Sequence, residues 1–161
     1  MLAYMEESQV KITLLSIGEV PDATAINRSA LRRLGNQTVT VDMNVRVIPD
    51  LDTSCISLVV SCSYIATIGF IRTRILVSSV IATFEIEDLR KHIVTQNGEI
   101  VVAGQLMMTM LSIAVGALRG VVAVRTQGTR LRNTPLPIID LTALMYRLHY
   151  GRVPDPGTHR L

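Results

Sequence analysis

An uncharged stretch with helical periodicity, between Glu99 and Arg119, constrains the fold of this chain more than any other feature. It is nineteen residues long, and bulky apolar residues recur in it three or four positions apart, as on a helix that is buried on most sides. These residues are Leu106, Met107, Met110, Leu111, Ile113 and Leu118. The pattern predicts one long helix from Val101 to about Arg125.

A stretch of this length also fits the hydrocarbon core of a bilayer, so a membrane span is the first alternative. Gln105, Thr109 and Ser112 dilute its hydrophobicity, and the helical pattern continues past Arg119. The residues before it alternate as the strands of a soluble sheet do. We therefore predict a helix inside a folded domain and no membrane span.

One face of this helix carries only the small residues Ser112, Gly116 and Gly120. A glycine inside a helix costs about 1 kcal/mol relative to alanine, so two of them indicate that another backbone packs closely there. One sheet covers only one side of a helix. We predict that this stripe, with Arg119 beside it, meets a second subunit. The alternative is that the last helix and the connection 21–36 cover it within one monomer.

Four stretches before the long helix have the patterns of strands. The clearest covers residues 38–47, where valines and a methionine alternate with polar residues. The other three run from Val10 to Val20, from Ser54 to Ala66 and from Ile71 to Glu87. Their connections are short or irregular, which predicts an antiparallel sheet. A turn is expected at residues 49–52, and one or two helical turns ended by Gly35 within residues 21–36.

A second helix is predicted from Leu141 to about Tyr150, with Asp140 as its N-cap, after a linker that Pro135 and Pro137 keep extended. Strands first and helices last is the order of an α+β fold. We predict a four-stranded antiparallel sheet followed by a long and a short helix on one face. This single domain spans residues 10–150, with tails at 1–9 and 151–161.

Composition indicates where the apolar residues are used. Of 161 residues, 48% are apolar and only 4% aromatic, which excludes disordered and disulfide-scaffold classes. A small domain has a high ratio of surface to volume, so this surplus predicts apolar surface for a partner. Residues 1–10 lack the basic start and apolar run of a signal peptide. Together with only two cysteines, this predicts a reducing, cytoplasmic location.

No pattern of catalytic or metal-binding residues occurs in the sequence. Nucleophile elbows, phosphate-binding glycine loops and zinc-ligand spacings are absent. His92, His149 and His159 are scattered over the last seventy residues and form no cluster. Cys55 and Cys62 are seven residues apart on one predicted strand, so their side chains point to opposite faces. We predict that the chain is no enzyme and uses no metal or cofactor.

A basic stretch follows the long helix. Arg119, Arg125, Arg130 and Arg132 occur without an intervening acid. No aromatic residue interleaves with them to stack on bases, and the net charge of the chain is only +3, so nucleic acid is not favoured. Cations at a helix C-terminus, followed by a stop at Gly128, explain the placement without a ligand. An anion or nucleic-acid site on this stretch stays the alternative.

The stretch 106–148 resembles the C-terminal half of the SecB family of protein-export chaperones and SecB-like proteins. The similar features are a long helix with an arginine before its last turns (Arg119), a stop at Gly128-Thr129, an extended link containing Pro137, and a closing helix from Leu141. The preceding strands fit the sheet order of the family, so the resemblance covers residues 10–150.

The resemblance implies a cytoplasmic chaperone that holds unfolded polypeptide, a preprotein or another client, without ATP or metal. Its long helices pair dimers into a tetramer, and the small stripe is where helices meet. Apolar grooves in the family bind the client. The family architecture implies a groove between the connection 21–36 and the last helix. Its implied lining is Ile26, Leu31, Leu34, Leu144, Met145 and Leu148.

Two departures from the family bear on the client. Members that serve the export motor are typically acidic and have aromatic grooves, whereas this chain is basic and has two Phe and no Trp. This disfavours a role at the export motor. A second hypothesis is a structural or partner-binding module on the same fold, in which the groove is filled by its own side chains.

Overall fold

The computed structural model describes residues 10–96 and 98–150, so the predicted tails 1–9 and 151–161 lie outside the described residues. The strands run over Ile12–Glu19 (β1), Ala25–Ile26 (β2), Thr40–Asp50 (β3), Cys55–Ile68 (β4), Ile71–Ile86 (β5), Ile93–Gln96 (β6) and Glu99–Val102 (β7). The α-helices run over Arg28–Arg33 (α1), Gly104–Arg125 (α2) and Leu141–Tyr150 (α3).

The main sheet is antiparallel and has the order β1-β5-β4-β3, with the short β2 also paired to β5. β6 and β7 form a separate hairpin. Strands come first and the two longer helices last, so the predicted α+β fold is confirmed. The connection 21–36 adds a strand, β2, that the sequence pattern does not reveal because it is only two residues long.

Successive residues of each strand point to opposite faces of this sheet, so the alternation in the sequence separates the residues of the two faces. In β4, Ile56, Leu58, Val60 and Tyr64 are all buried on the side that faces the long helix. The alternating positions of β3 point the same way, but only Val45 among them is buried, because β3 lies at the edge of the sheet. An apolar residue at an edge has neighbours on fewer sides than one in a central strand.

β1 has the poorest alternation in the sequence, and a bulge explains it. Leu14 lies opposite Phe84 and Ser16 opposite Thr83, so Leu15 has no partner in the ladder. Because of this extra residue, each later side chain of β1 points to the side of the sheet opposite to the one that strict alternation would give. Strict alternation would put Ser16 on the face of Leu14, but the bulge puts Ile17 there instead, opposite Ala82.

Two predicted boundaries also differ from the structure. The turn expected at 49–52 begins later, because Pro49 and Asp50 still pair with β4; an edge strand tolerates proline, since one side of its backbone needs no ladder partner. The long helix begins at Gly104 and not at Val101. Residues 99–102 are rich in β-branched side chains, which favour a strand, and they pair with β6.

α2 lies across β4 and β5, and α3 packs against α2. The side of α2 that faces the sheet is fully buried at Met110, Leu111 and Leu118. The backbone N–H of Ala143 donates to Asp140 Oδ1 at 3.1 Å, which confirms the predicted N-cap of α3. Gly128 has a φ of +72° and ends the helical segment as predicted.

Among the described residues, α2 is the one helix long and apolar enough to cross a membrane. Several of its bulky side chains, among them Met110 and Leu118, are buried against the rest of the fold, which supports the prediction of a packed helix. The absence of a membrane span stays a prediction.

Candidate functional site

The side of α2 that faces away from the sheet is open. Ser112, Gly116 and Gly120 are exposed, and a Cβ built on either glycine would meet no atom within 4 Å. Neither α1 nor α3 reaches the stripe in the part of the chain that the structure describes. The alternative in which these elements cover the stripe within one monomer is therefore wrong for the described residues.

Apolar side chains border this stripe. Val124 is 65% exposed, and Ile113 is exposed as well. Ala117 and Val121 line a shallow depression of about 650 Å³ together with Gly120. A helix surface of small and apolar residues without charge is unusual for a face in contact with water.

The apolar surface continues on β1. Leu14 and Ile17 are 43% and 42% exposed, although they point to the same side of the sheet as the fully buried Phe84 and Ala82 opposite them. They are partly exposed because α2 lies mainly over β4 and β5 and contacts β1 less. We call Leu14, Ile17, Ile113, Val124 and the stripe of α2 the open apolar face.

One edge of β1 borders the open apolar face. Within residues 10–96 and 98–150, β1 pairs with β5 alone, so the backbone N–H and C=O groups of its other edge have no ladder partner. Such an edge is a template for another extended chain. Leu15, at the bulge, adds a further exposed apolar side chain there.

A charged clamp closes one end of the open apolar face. Arg125, at the end of α2, donates from Nε and Nη2 to the two carboxylate oxygens of Glu19, at 3.0 and 2.9 Å. These hydrogen bonds raise the pKa of the Arg125 guanidinium. The clamp ties the end of β1 to the end of α2 and so sets the distance between the two halves of the face.

No protein-family model and no curated protein sequence matches the chain. One solved structure that it resembles is a SecB-like chaperone from Mycobacterium tuberculosis, in complex with a ChAD peptide from the HigA1 antitoxin. The match covers 81% of this chain and 88% of that one, at 16% identity and a TM-score of 0.43. The likeness concerns the general arrangement of the elements alone.

The six residues of the implied groove do not come together in the structure. Ile26 lines a cavity of about 220 Å³ with Arg125, at the C-terminal end of α2. Met145 lies at the other end, because its Cε is 3.5 Å from where a Cβ of Gly104 would be. α2 has 22 residues and is therefore about 30 Å long. The linker after α2 reverses the chain and brings α3 back along α2, which separates the two halves.

The remaining groove residues differ in exposure. Leu34 and Leu144 are buried in the core, and Leu31 is partly buried. The side chain of Leu148 lies outside the described part of the chain. A role for these residues in binding polypeptide stays a prediction, but their burial makes them less accessible than the open apolar face, which the sequence pattern did not reveal on β1.

The basic stretch does not form one surface. Arg125 pairs with Glu19, and Arg130 donates to the backbone carbonyl of Gln37 at 2.9 Å. Arg119 instead donates to the carbonyl of Pro137 at 3.2 Å, and both Arg119 and Arg132 line a separate cavity. The four side chains thus point to three different places, which is unlike the continuous stripe that a nucleic-acid backbone follows.

The cysteines lie on opposite faces of β4, as predicted. Cys62 lies opposite Ser78 on the core side, and Cys55 lies opposite Glu85 on the other side. Burial raises the pKa of the Cys62 thiol to about 11, so it stays protonated and unreactive at neutral pH. No group of three His, Cys, Asp or Glu side chains that could hold a metal occurs within the described ranges.

Proposed function

We propose that this chain is a SecB-like cytoplasmic chaperone that binds unfolded polypeptide on its open apolar face, without ATP or metal. One observation carries the proposal: exposed apolar side chains, Leu14 and Ile17, stand beside an unpaired strand edge. An unfolded chain offers both backbone hydrogen-bonding groups and apolar side chains, and this surface offers a complement to each.

The backbone part of the interaction follows from the edge of β1. An extended client segment adds to the sheet as a further strand, and main-chain hydrogen bonds supply affinity that does not depend on client sequence. The aliphatic side chains of the face add apolar contacts of low specificity. The client is therefore any unfolded segment rich in aliphatic residues. The family's link to protein export is part of the proposal only as one source of such clients.

We assign the stripe of α2 to self-association and the β1 side to the client. Ser112, Gly116 and Gly120 leave room for the backbone of a second α2 to approach, since no side chain stands between. Arg119 lies at the border of the stripe. Its guanidinium is turned towards the linker, where it donates to Pro137. Pairing through this stripe is the contact between long helices in the oligomer that the resemblance implies.

The client proposal is tested by suppression of aggregation. The purified full chain, without nucleotide, is mixed with chemically denatured citrate synthase, and light scattering is followed as the denaturant is diluted. We expect suppression at a few-fold molar excess and loss of most of it in Ile17→Ser. The matched control is Ile48→Ser, because Ile48 is 41% exposed but lies on β3 at the far edge of the sheet.

No suppression by the wild-type chain at several-fold molar excess would overturn the proposal. Equal loss in Ile17→Ser and Ile48→Ser would overturn the assignment to the β1 side. Circular dichroism of both variants checks that the fold is kept, since both side chains are partly in water already.

Self-association is tested by sedimentation equilibrium. Gly116→Leu and Gly120→Leu put a bulky side chain on the stripe, where an added Cβ meets no atom within 4 Å, so each variant should fold and should have a lower mass than the wild-type assembly. Thr142→Leu, an equally bulky change at an exposed position of α3, should keep the wild-type mass. A wild-type chain that sediments as a monomer at micromolar concentration contradicts this part of the proposal.

A structural or partner-binding module is the second candidate, and binding of an apolar dye separates it from a chaperone. A face filled by its own side chains binds little dye. The exposure of Leu14, Ile17 and Val124 predicts strong dye fluorescence, weakened in Ile17→Ser.

A further inference from the structure

The hairpin that joins β4 to β5 presents an aromatic side chain to solvent. Ile68 pairs with Ile71, so the loop between them has only two residues, Gly69 and Phe70. Gly69 has a φ of +64° and stands at the first loop position, where a type II′ turn needs a positive φ. Phe70 is fully exposed and Ile71 is 71% exposed, whereas the other phenylalanine, Phe84, is fully buried. The short turn therefore holds two apolar side chains in water at its tip.

The helix α1 lies at the same end of the sheet as this tip. The backbone N–H of Asn27, just before α1, donates to the carbonyl of Ile75. Thr40, at the end of the connection that follows α1, pairs with Ile65. Ile75 and Ile65 are each five residues from Phe70 in the sequence. These two contacts hold α1 beside the hairpin.

This end of the sheet is strongly basic. We call residues 27–42 and 63–76 the hairpin end. Their one acidic residue is Asp42, against five arginines, so the hairpin end has a net charge of +4, whereas the whole chain has +3. All five arginines are exposed, and among the described residues only Arg72 has an ion-pair partner, Asp42. The five are Arg28, Arg32, Arg33, Arg72 and Arg74.

The acidic residues are concentrated at the opposite end of the sheet. Asp50 and Glu85 both lie opposite Cys55 there, and the chain segments beside them add three acids and three basic residues. These are Asp52, Glu87 and Asp88, and Lys11, Arg90 and Lys91. The exposed aromatic side chain is thus at the positive end of a molecule whose charge is divided between its two ends.

The shape and size of the tip decide which kind of partner fits. A small-ligand site is concave, whereas this tip is convex. A specific protein interface buries about 800 Å² per partner, but Phe70 and Ile71 are the only exposed large apolar residues of the hairpin end. A nucleic acid offers phosphates to the arginines and a base to Phe70, yet it leaves Ile71 in water. An anionic membrane surface needs no shaped pocket and takes both the apolar tip and the arginines.

The spacing along β5 fits the depth of such a surface. Successive residues of a strand are about 3.4 Å apart, so Arg72 and Arg74 stand about 7 and 13 Å behind Phe70. Interfacial segments bury their apolar side chains about 5–10 Å into the boundary between headgroups and acyl chains. With Phe70 and Ile71 at that depth, Arg72 stands at the level of the lipid phosphates, to which a guanidinium donates paired hydrogen bonds.

We infer that the tip of the β4–β5 hairpin docks the protein on an anionic membrane surface. Phe70 and Ile71 enter the headgroup boundary, and the arginines of the hairpin end contact lipid phosphates. The inference goes beyond the proposed function and does not depend on it. β1 ends with Glu19 opposite Val80, ten residues and about 30 Å along β5 from Phe70. The open apolar face therefore stays free for a client while the tip is in contact with lipid.

Vesicle sedimentation tests whether the full chain binds lipid. Sucrose-loaded vesicles of three parts phosphatidylcholine and one part phosphatidylglycerol are compared with vesicles of phosphatidylcholine alone. We expect at least about tenfold stronger binding to the anionic vesicles and weaker binding as salt is added, because salt screens the arginine contacts. No binding to the anionic vesicles at low salt, or equal binding to both kinds, overturns the inference.

Two pairs of variants locate the contact. Phe70→Ser should weaken binding at least about tenfold, whereas Ile138→Ser, at a 96% exposed position of the linker after α2, should leave it unchanged. Arg74→Gln should weaken binding about fivefold, and Arg90→Gln, at an exposed position after β5, should not. All four side chains are exposed, so the unfolding curves should match that of the wild-type chain. Equal effects within either pair overturn the assignment to the tip.

A tryptophan at the tip reports insertion directly, since the chain has no tryptophan of its own. When anionic vesicles are added, the emission of Phe70→Trp should shift to shorter wavelength and should be quenched by brominated phosphatidylcholine. Ile138→Trp should show neither change. Vesicle binding without a shift at position 70 would mean adsorption through charge alone, which overturns the role of the tip.

Failure of this inference is distinguishable from failure of the proposed function, because the vesicle assay contains no client and the aggregation assay contains no lipid. Ile17→Ser, which should lower suppression of aggregation, should leave vesicle binding unchanged. Loss of vesicle binding in Ile17→Ser would place the lipid contact on the open apolar face and overturn the inference. If vesicles bind no chain and Phe70→Ser lowers the mass in sedimentation equilibrium, the tip contacts a second copy and the inference is overturned.

Discussion

β4 and β1 both pair with β5, one on each side, and both point aliphatic side chains to the same face of the sheet. Those of β4, such as Leu58, are fully buried, whereas Leu14 and Ile17 of β1 are about two fifths exposed. The residue types are alike, so the difference lies in α2, which contacts β4 more extensively than β1. The place of one helix therefore decides which aliphatic residues hold the fold and which are left for a partner.

This division has an energetic consequence. Burial of apolar surface contributes about 25 cal/mol per Å², so the side chains under α2 supply the stability of the domain. The exposed ones supply little and are free to serve binding. The same contrast holds within α2 itself, between the fully buried Leu118 and the exposed Val124.

The largest expected effect comes from shortening a side chain on the covered side of α2. Leu118→Ala removes a fully buried side chain and should lower the free energy of unfolding by about 2–5 kcal/mol. Val124→Ala, on the open side of the same helix, should change it by less than about 0.5 kcal/mol. Urea denaturation measures both. Similar losses in the two variants would break the contrast between the covered and open sides.

The next largest effect is expected from alkaline pH, which removes protons from two buried groups on the covered side of the sheet. Burial raises the pKa of Cys62 from 9.0 to about 11 and, with the nearby Cys62 thiolate as a lesser cause, that of Tyr64 from 10.0 to about 12. The unfolded chain releases these protons at lower pH than the folded one, so stability is full below about pH 9 and falls as the pH rises towards 12.

Each of these groups contributes a slope of up to about 1.4 kcal/mol per pH unit within its window. Urea denaturation at a series of pH values measures it, and Cys62→Ala should flatten the curve between about pH 9 and 11. A stability that does not change between pH 9 and 12 in the wild-type chain contradicts the burial of these two groups.

A smaller effect of opposite sign is expected at the Tyr64 hydroxyl. It is buried and has no hydrogen-bond partner among the described residues, which costs free energy in the folded state. Tyr64→Phe should therefore raise the free energy of unfolding by about 1 kcal/mol.

The contrasting variant for Tyr64 is Ser57→Ala. The Ser57 hydroxyl lies 2.8 Å from Thr83 Oγ1 in a hydrogen bond, so its loss should destabilise the fold. Thermal unfolding of the two variants, measured side by side, shows which substitution stabilises the fold and which destabilises it. Destabilisation by Tyr64→Phe would show that the hydroxyl is satisfied after all.

The smallest effect is expected at the clamp between the two regions. Glu19→Gln weakens both hydrogen bonds from Arg125, but both side chains are partly in solvent, where ion pairs contribute little. The shift in the unfolding midpoint should be smaller than that of Tyr64→Phe and should shrink further as salt is added. A large shift that does not depend on salt would mean that the clamp, and not the pairing with β5, holds β1 in place.

Local patterns predicted most of the elements. The alternation over residues 38–47 became β3, the helical spacing after Gly104 became α2, and Asp140 caps α3. The β6–β7 hairpin was missed because Ile100 and its apolar neighbours merge with the apolar run of the helix, and no Gly or Pro separates them before Gly104. Periodicity alone does not show where a strand passes into a helix.

The site was less predictable than the fold. The glycines of α2 indicated an open stripe, because a missing Cβ is visible in the sequence. Exposure of Leu14 and Ile17 was not indicated, although the poor alternation of β1 was a sign of its bulge. The implied groove joined Ile26 to Met145, which lie at opposite ends of α2, because the course of the linker after α2 depends on contacts remote in sequence.

By itself the sequence determined the α+β class, the long helix with one small face, and a surplus of aliphatic residues, since these depend on composition and on spacing along the chain. The tertiary structure alone decided that α2 lies mainly over β4 and β5 and leaves the apolar side chains of β1 partly exposed, and that Arg119 and Arg132 share a cavity while Arg125 and Arg130 do not. The physical reason is that burial and charge neutralisation are set by neighbours in space, and those neighbours lie far apart in the chain.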